Sequence, residues 1–315
     1  METPMMNLNE ALLLAKELGP LLNDGSTAKA AVERLKPTWI ELRRLLTIGL
    51  NADMPTIVET VEAVAALRNW YSTYQAEGGP EILLAAANAM TTHGSVDEVD
   101  LVKNRELQGN LWRFRGDTLV RKGDDIEAEK SYRTAIKVYD GMFLRWKTSC
   151  QRGLGDIAWR SNSFDQAETL FQEANHGFRN LTPEPDFLGK ANTERRLGNC
   201  ALQRGDAKLA MGYYENAYRY YDSKPGQADQ PDCLIGMARV ELSQFGQYKA
   251  IEYIDAAVKL FRKLGDRLGL SRALALRAQV WRVLEHKGHA DLDQAEADSV
   301  HHELGKTGHA EDVIR

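Results

Sequence analysis

Apolar residues recur along almost the whole chain three or four positions apart, with polar residues between them. No stretch alternates apolar and polar positions, enriched in β-branched residues, for long enough to form a strand. Breaks fall at Gly19-Pro20, Asn23-Asp24-Gly25, Asn51 to Pro55, Gly78-Gly79-Pro80 and His93-Gly94-Ser95. Later ones are Lys122-Gly123-Asp124, Thr182 to Pro185, Arg204-Gly205-Asp206 and Lys224-Pro225-Gly226. The segments between them are of helical length, about 12 to 20 residues, and short turns between such helices give antiparallel hairpins. The pattern predicts an all-α chain. Near the start it predicts an amphipathic helix from Leu8 to Leu18, ended by Gly19-Pro20. Further helices follow from Trp39 to Leu50, Ile57 to Tyr74 and Glu81 to Met90.

A repeat organises the later part. From Gly116, Gly155, Gly198 and Ala238, steps of 12, 4 and 3 residues reach Ala128, Tyr132 and Ala135; Ala167, Phe171 and Ala174; Ala210, Tyr214 and Ala217; Ala250, Ile254 and Ala257. The four starts lie 39, 43 and 40 residues apart. A small residue at the start lets the first helix of a hairpin approach the second. The later three positions share one face of the second helix, so the bulky residue fills the space between hairpins while the alanines admit the next one. Gly123 and Gly205, seven places after their starts, suit a left-handed turn residue. In the fourth unit the glycine, Gly246, comes one place late, which predicts a turn of another shape. A fifth, degenerate unit is expected from Leu268 to Glu285 and Asp291 to Leu304, offering Ala295, Ser299 and His302 in place of the repeat set.

Trp112, Gly116, Gly123, Ala128, Tyr132 and Ala135 form the best copy, and this pattern resembles the tetratricopeptide repeat. The resemblance runs from about residue 109 to 262; the family's proline after the second helix is missing and the spacing is longer. It implies a right-handed superhelix of antiparallel helical hairpins, a tetratricopeptide-like α-solenoid. The expected organisation is an N-terminal helical region of degenerate repeats or cap (1–100), repeats over 101–305 (109–142, 148–181, 191–224, 231–264 and 268–304), and a tail at 306–315. The aromatic pair Trp70-Tyr71 and the turn Glu77-Gly78 look like the C-terminal helical repeats of bacterial STAND-type signalling proteins, which favours a bacterial source. Those proteins carry an ATPase module that this sequence does not include. Gly305-Lys306-Thr307 is no phosphate loop, since Val300 stands where its glycine would and no strand precedes it.

Composition narrows the function. At 43% apolar and 27% charged the chain is an ordinary folded one. A formal charge of −5 argues against a broad nucleic-acid or anionic-membrane surface. No apolar run reaches the roughly 18 residues of a bilayer span, and Glu2, Glu10, Lys16 and Glu17 spoil a secretory signal. Cys150, Cys200 and Cys233 are too few and too far apart for a disulfide framework, so the expectation is a cytoplasmic protein. No cofactor motif, no Ser-His-Asp spacing and no paired base for a cysteine nucleophile is present. His286, His289, His301, His302 and His309 gather near the end without a completing ligand, which reads as exposed polar residues rather than a metal site. Among Tyr213, Tyr214, Tyr218, Tyr220 and Tyr221, the second, third and fifth are expected to pack inward.

The candidate site follows from the resemblance. Ligand-facing positions of the family stand three before, one after and five after the small residue. Here they hold Arg113, Asp117 and Arg121; Arg152, Asp156 and Arg160; and Arg195, Asn199 and Gln203, with Arg196 and Arg239 nearby. Guanidinium forks suit carboxylates, so a concave, arginine-lined groove would take a peptide or protein partner, an acidic segment among the options. Arg195 and Asn199 resemble the Lys/Asn pair that clamps a C-terminal carboxylate in some relatives, but Gly153 replaces an amide and Asp117 and Asp156 oppose the charge. The bland reading is an internal ladder of Arg–Asp pairs, each worth a few tenths of a kcal/mol. The leading function is thus a non-catalytic scaffold or adaptor; the alternatives are a ligand- or peptide-sensing regulator and, third, an enzyme. Peptide-pheromone sensors with similar repeats usually add a helix-turn-helix, and residues 1–50 contain no convincing one. Self-association through Leu8, Leu12, Ala15, Leu18 or Leu14, with Met1, Met5 and Met6, stays open beside a capping role for that face.

Overall fold

The computed structural model describes residues 6–22, 25–53, 55–72, 74, 76–92, 98–224 and 229–303. The expected breaks at Asn23-Asp24, His93 to Ser95 and Pro225-Gly226, the residues Met1, Met5 and His309, and the tail lie outside these. The described residues are helical and turn-linked: α1 (Leu8–Leu21), α2 (Gly25–Gly49), α3 (Thr56–Ala66), α4 (Arg68–Ser72), α5 (Gly79–Thr92), α6 (Glu98–Lys122), α7 (Asp125–Tyr139), α8 (Leu144–Arg160), α9 (Phe164–Arg179), α10 (Phe187–Gln203), α11 (Ala207–Asp222), α12 (Gln230–Ser243), α13 (Gln247–Leu264), α14 (Arg267–Val283) and α15 (Lys287–Glu303). Among them no helix is long and apolar enough to cross a membrane. The chain forms two compact units, one ending at Ser163 and the other beginning at Phe164.

The first unit differs from expectation in three helices. α1 starts at a reciprocal cap between Asn7 and Glu10 but runs through Pro20 to Leu21. Gly19 is not its stop: a Cβ there would sit 2.7 Å from the carbonyl carbon of Ala66, so the glycine lets α1 close onto the end of α3. α2 begins at Gly25, well before Trp39, and carries Pro37 inside it. The third predicted helix splits at Leu67, whose N–H turns back to Val64 and Ala65. The split places Trp70 and Tyr71 against Trp39, with ring centroids 6.0 and 5.7 Å away. The Glu77 carbonyl accepts from Trp39 Nε1 at 3.0 Å and Arg43 at 2.8 Å, fixing the turn at Gly78 (φ +73°). The apolar face of α1 (Ala11, Leu12, Ala15, Leu18) is buried in this unit's core.

The repeat is written in the turns. The residue seven places after each start is left-handed in every copy: Gly123 (φ 83°), Asn162 (59°), Gly205 (85°), Phe245 (60°) and, in the last, Glu285 (63°). The fourth turn therefore keeps the common shape, contrary to the expectation drawn from Gly246, and a phenylalanine bears the strained conformation. Asp124 and Asp206 follow the glycines and cap α7 and α11, accepting from Glu127 N at 3.1 Å and Leu209 N at 3.0 Å.

The fifth hairpin is in register from Ala278, 40 residues after Ala238. Its set is Ala290, Gln294 and Ala297, both alanines fully buried. The expected Ala295 and Ser299 are exposed. Four places beyond the last alanine stand Tyr139, Phe178, Tyr221, Phe261 and His301, all buried. His301 thus occupies a core aromatic position.

Side-chain sizes match across hairpins. A Cβ on Gly116 or Gly153 would lie 2.7 Å from Tyr132 ring carbons. Gly198 and Gly236 bracket Tyr214 in the same way. Where the ring becomes Ile254, those two places hold Ala238 and Leu276, all three buried. Tyr221 is buried; Tyr218, with Tyr213 and Tyr220, is half-buried.

Candidate functional site

In the first unit α6 carries Arg113, Asp117 and Arg121. Arg113 is half-buried, its guanidinium 4.5 Å from the Phe114 ring centroid and 5.0 Å from that of Trp146. It reaches Asp117 at 3.3 Å and Asn110 at 3.4 Å, and its Nε is buried without a partner. Burial opposes its charge, but Asp117, Tyr139 and Cys150 outweigh that and hold its pKa above the ordinary arginine value. Asp117 also accepts from the Tyr132 hydroxyl at 2.7 Å. Arg121 is exposed. On α8, Arg152 and Asp156 are half-buried, while Arg160 turns outward to the Val120 carbonyl (2.9 Å) and to Asp125.

In the second unit Arg195 on α10 donates to Asp229 at 3.0 Å. Burial disfavours its charge, but Asp232 and Asp229 prevail and raise its pKa. Arg196 donates to the carbonyl of Asn192 at 2.9 Å. Asn199 accepts from the Tyr214 hydroxyl at 2.6 Å, so the amide read as half of a carboxylate clamp is bonded to the core. Arg239 lies beside Asp232 and Arg272 in a cleft of about 20 Å³. Burial, then the Arg272 charge, lowers its pKa.

The ladder is therefore partial. Arg113–Asp117 is an i,i+4 pair as predicted, and Arg160–Asp125 links α8 to α7. Arg195 goes to a later helix instead. The same hydroxyl bonds recur in both units: Tyr132 to Asp117 and Tyr214 to Asn199, then Tyr139 to Asn110 at 3.1 Å and Tyr221 to Asn192 at 2.6 Å. These polar positions hold tyrosines in register.

Sequence reasoning missed Arg68, Asn69 and Ser72 on α4, which line a cleft of about 120 Å³ with Arg113, Phe114 and Asp117. It also missed the buried ion pair of Arg277 with Asp293 and Asp255. No spacing rule links α4 to α6. Arg277 could have been found, since it stands one place before its small residue as Arg115 does, and Arg115 likewise bonds to the facing helix at Ser131 and Glu127. All three cysteines are free and buried. His286 and His289 pack on Trp281, with centroids 5.3 and 5.1 Å from the indole. Among the described residues no group of three or more His, Cys, Asp or Glu is placed to hold a metal.

Hairpins with small starts, left-handed turns and bulky residues between layers define a tetratricopeptide-like helical-repeat protein. No protein-family model and no curated protein matches the chain. Among solved structures it is similar to the apo form of the quorum sensor NprR from B. thuringiensis (13% identity, 93% of this chain, 87% of the other, TM-score 0.59). It is also similar to aspartyl phosphate phosphatase F from Bacillus subtilis (14%, 95%, 85%, 0.56). A third is a Rap protein complexed with Competence and Sporulation Factor (13%, 98%, 95%, 0.52). At these identities the likeness is one of fold.

Proposed function

We propose that this chain is a non-catalytic interaction protein, a scaffold or adaptor that takes a peptide or protein segment on the first helices of its hairpins. The observation that carries this is the arginine at the same repeat place in α6, α8 and α10. In two of the three the guanidinium is already ordered, Arg113 by two rings and Arg195 by Asp229. An ordered side chain loses less entropy when a ligand arrives. The similar structures support the coarser reading, since one is named a quorum sensor and another is complexed with a factor. We take the partner segment to be acidic, to suit the guanidinium forks, and the compartment to be the cytoplasm, where buried free thiols stay reduced.

The test is affinity capture from native lysate with the wild type beside an Arg113→Gln/Arg152→Gln/Arg195→Gln variant of unchanged melting temperature. Glutamine avoids setting a carboxylate against Asp117 or Asp229. A protein held by the wild type alone supports the adaptor; the same set on both removes these arginines from recognition. The second reading is a regulator whose shape responds to its ligand, favoured by the likeness to a quorum sensor. A change in scattering radius on ligand addition would separate it from a static adaptor.

A further inference from the structure

The cleft at α4 and α6 gathers two cations around one ring. Arg113 lies 4.5 Å and Arg68 5.8 Å from the Phe114 centroid, and Asn69, Ser72 and Asp117 complete the lining. Its single carboxylate is already engaged: one oxygen of Asp117 accepts from Tyr132 at 2.7 Å and the other faces Arg113 at 3.3 Å. Arg113 reaches its acceptors only at 3.3 and 3.4 Å, the long end of hydrogen bonding. With Arg68 and Arg113 against Asp117, the lining carries one uncompensated positive charge. Burial and the neighbouring Arg113 charge both depress the pKa of Arg68, the mark of a cation short of anionic company.

We infer that this cleft is a binding pocket for a single carboxylate, held between the Arg68 and Arg113 guanidiniums with Asn69 as a neutral partner. Its volume of about 120 Å³ equals roughly four waters at ~30 Å³ each. That seats a carboxylate and the carbons next to it. Charge selects carboxylate over phosphate: one negative charge balances the pocket, whereas a phosphate near −2 would leave an excess beside Asp117. The ligand class is therefore a peptide carboxylate, either a C-terminus or an acidic side chain. The inference rests on the peptide-binding reading only for the molecule that brings the carboxylate.

The experiment titrates the full chain with three small probes while following the Arg113 Nε–Hε and Trp146 indole signals by NMR. N-acetylglycine supplies a terminal carboxylate, N-acetyl-aspartic acid α-amide a side-chain one, and N-acetylglycinamide none. The expected result is a saturable shift with one or both carboxylates and none with the amide. Arg68→Gln should weaken the apparent Kd about tenfold, the scale of one charged hydrogen bond, at unchanged melting temperature. If Arg68→Gln fails to fold, Asn69→Ala serves, with a smaller loss expected. Equal shifts with the amide, no saturable shift, or a Kd untouched in the folded variant overturns the pocket. If the probes bind but no peptide does, the peptide-binding reading falls and the pocket stands. If peptides bind equally well to wild type and Arg68→Gln while the probes do not shift Arg113, the pocket alone falls.

Discussion

Gly236→Ala and Gly212→Ala make the same chemical change on neighbouring helices and should move stability in opposite directions. In a helix interior alanine is favoured over glycine by about 1 kcal/mol. Gly212 on α11 has nothing within 4 Å of an added Cβ, so most of that gain should appear, about 0.5–1 kcal/mol. A Cβ on Gly236 would fall no more than 2.7 Å from three ring carbons of Tyr214. The ring cannot retreat: Gly198 closes its other face, and its hydroxyl is tied to Asn199 at 2.6 Å. Overpacking of this kind costs about 1–3 kcal/mol, so Gly236→Ala should lose about 1–2 kcal/mol net. Urea unfolding of both variants measures the difference, and thermal scans should show about 2–4 °C per kcal/mol for a domain of this size. Tyr214→Leu removes the obstacle, as the Ile254/Leu276 pair does one hairpin later. In that background Gly236→Ala should be neutral or stabilising, a coupling visible in a double-mutant cycle. If Gly236→Ala stabilises the wild type as Gly212→Ala does, the size-matching account of the repeat is wrong.

Three further outcomes are expected. Arg277→Met leaves Asp293, only 8% exposed, buried without its cation and should cost about 3 kcal/mol in urea unfolding; Arg277→Met/Asp293→Leu should recover most of it. Glu127 is held below the usual carboxylate range by hydrogen bonds from Lys130 and Arg115, so the unfolded chain binds more protons than the folded one. Its stabilisation is present above the unfolded pKa and fades as pH falls through that range, and Glu127→Gln should flatten this part of the stability–pH curve measured between about pH 5 and 2. Burial pushes the Cys233 thiol up to about 12 and raises Cys150 further, so at pH 8 a disulfide reagent should label neither in the native protein and both in urea; rapid native labelling would contradict their burial.

The repeat was legible because it is local. Gly116, Ala128, Tyr132 and Ala135 lie within one hairpin, and a period of three and four along a helix is a property of the chain itself. The same logic placed Gly123 and Gly205 in left-handed turns. It failed at Phe245, where the hairpin's closure imposes the left-handed conformation on a residue that does not favour it. It failed again in the fifth hairpin, because Gln294 and His301 occupy aromatic places without being aromatic. There only the burial of Ala290 and Ala297 reveals the register.

The candidate arginines were half legible. Their spacing put Arg113 and Asp117 on one stripe, but whether a side chain on that stripe meets solvent or a neighbour depends on helices far away in sequence. Arg195 turns to Asp229, 34 residues on, and Asn199 to Tyr214. Arg68 meets Arg113 because α3 and α4 break at Leu67. The amino-acid sequence by itself determined the helices, their pairing and the repeat that spaces them, since hydrogen bonding and periodicity act over a few residues. Tertiary structure alone decided which charges are spent on the core and which remain to face a ligand, because a side chain's partners are set by the helix packed against it.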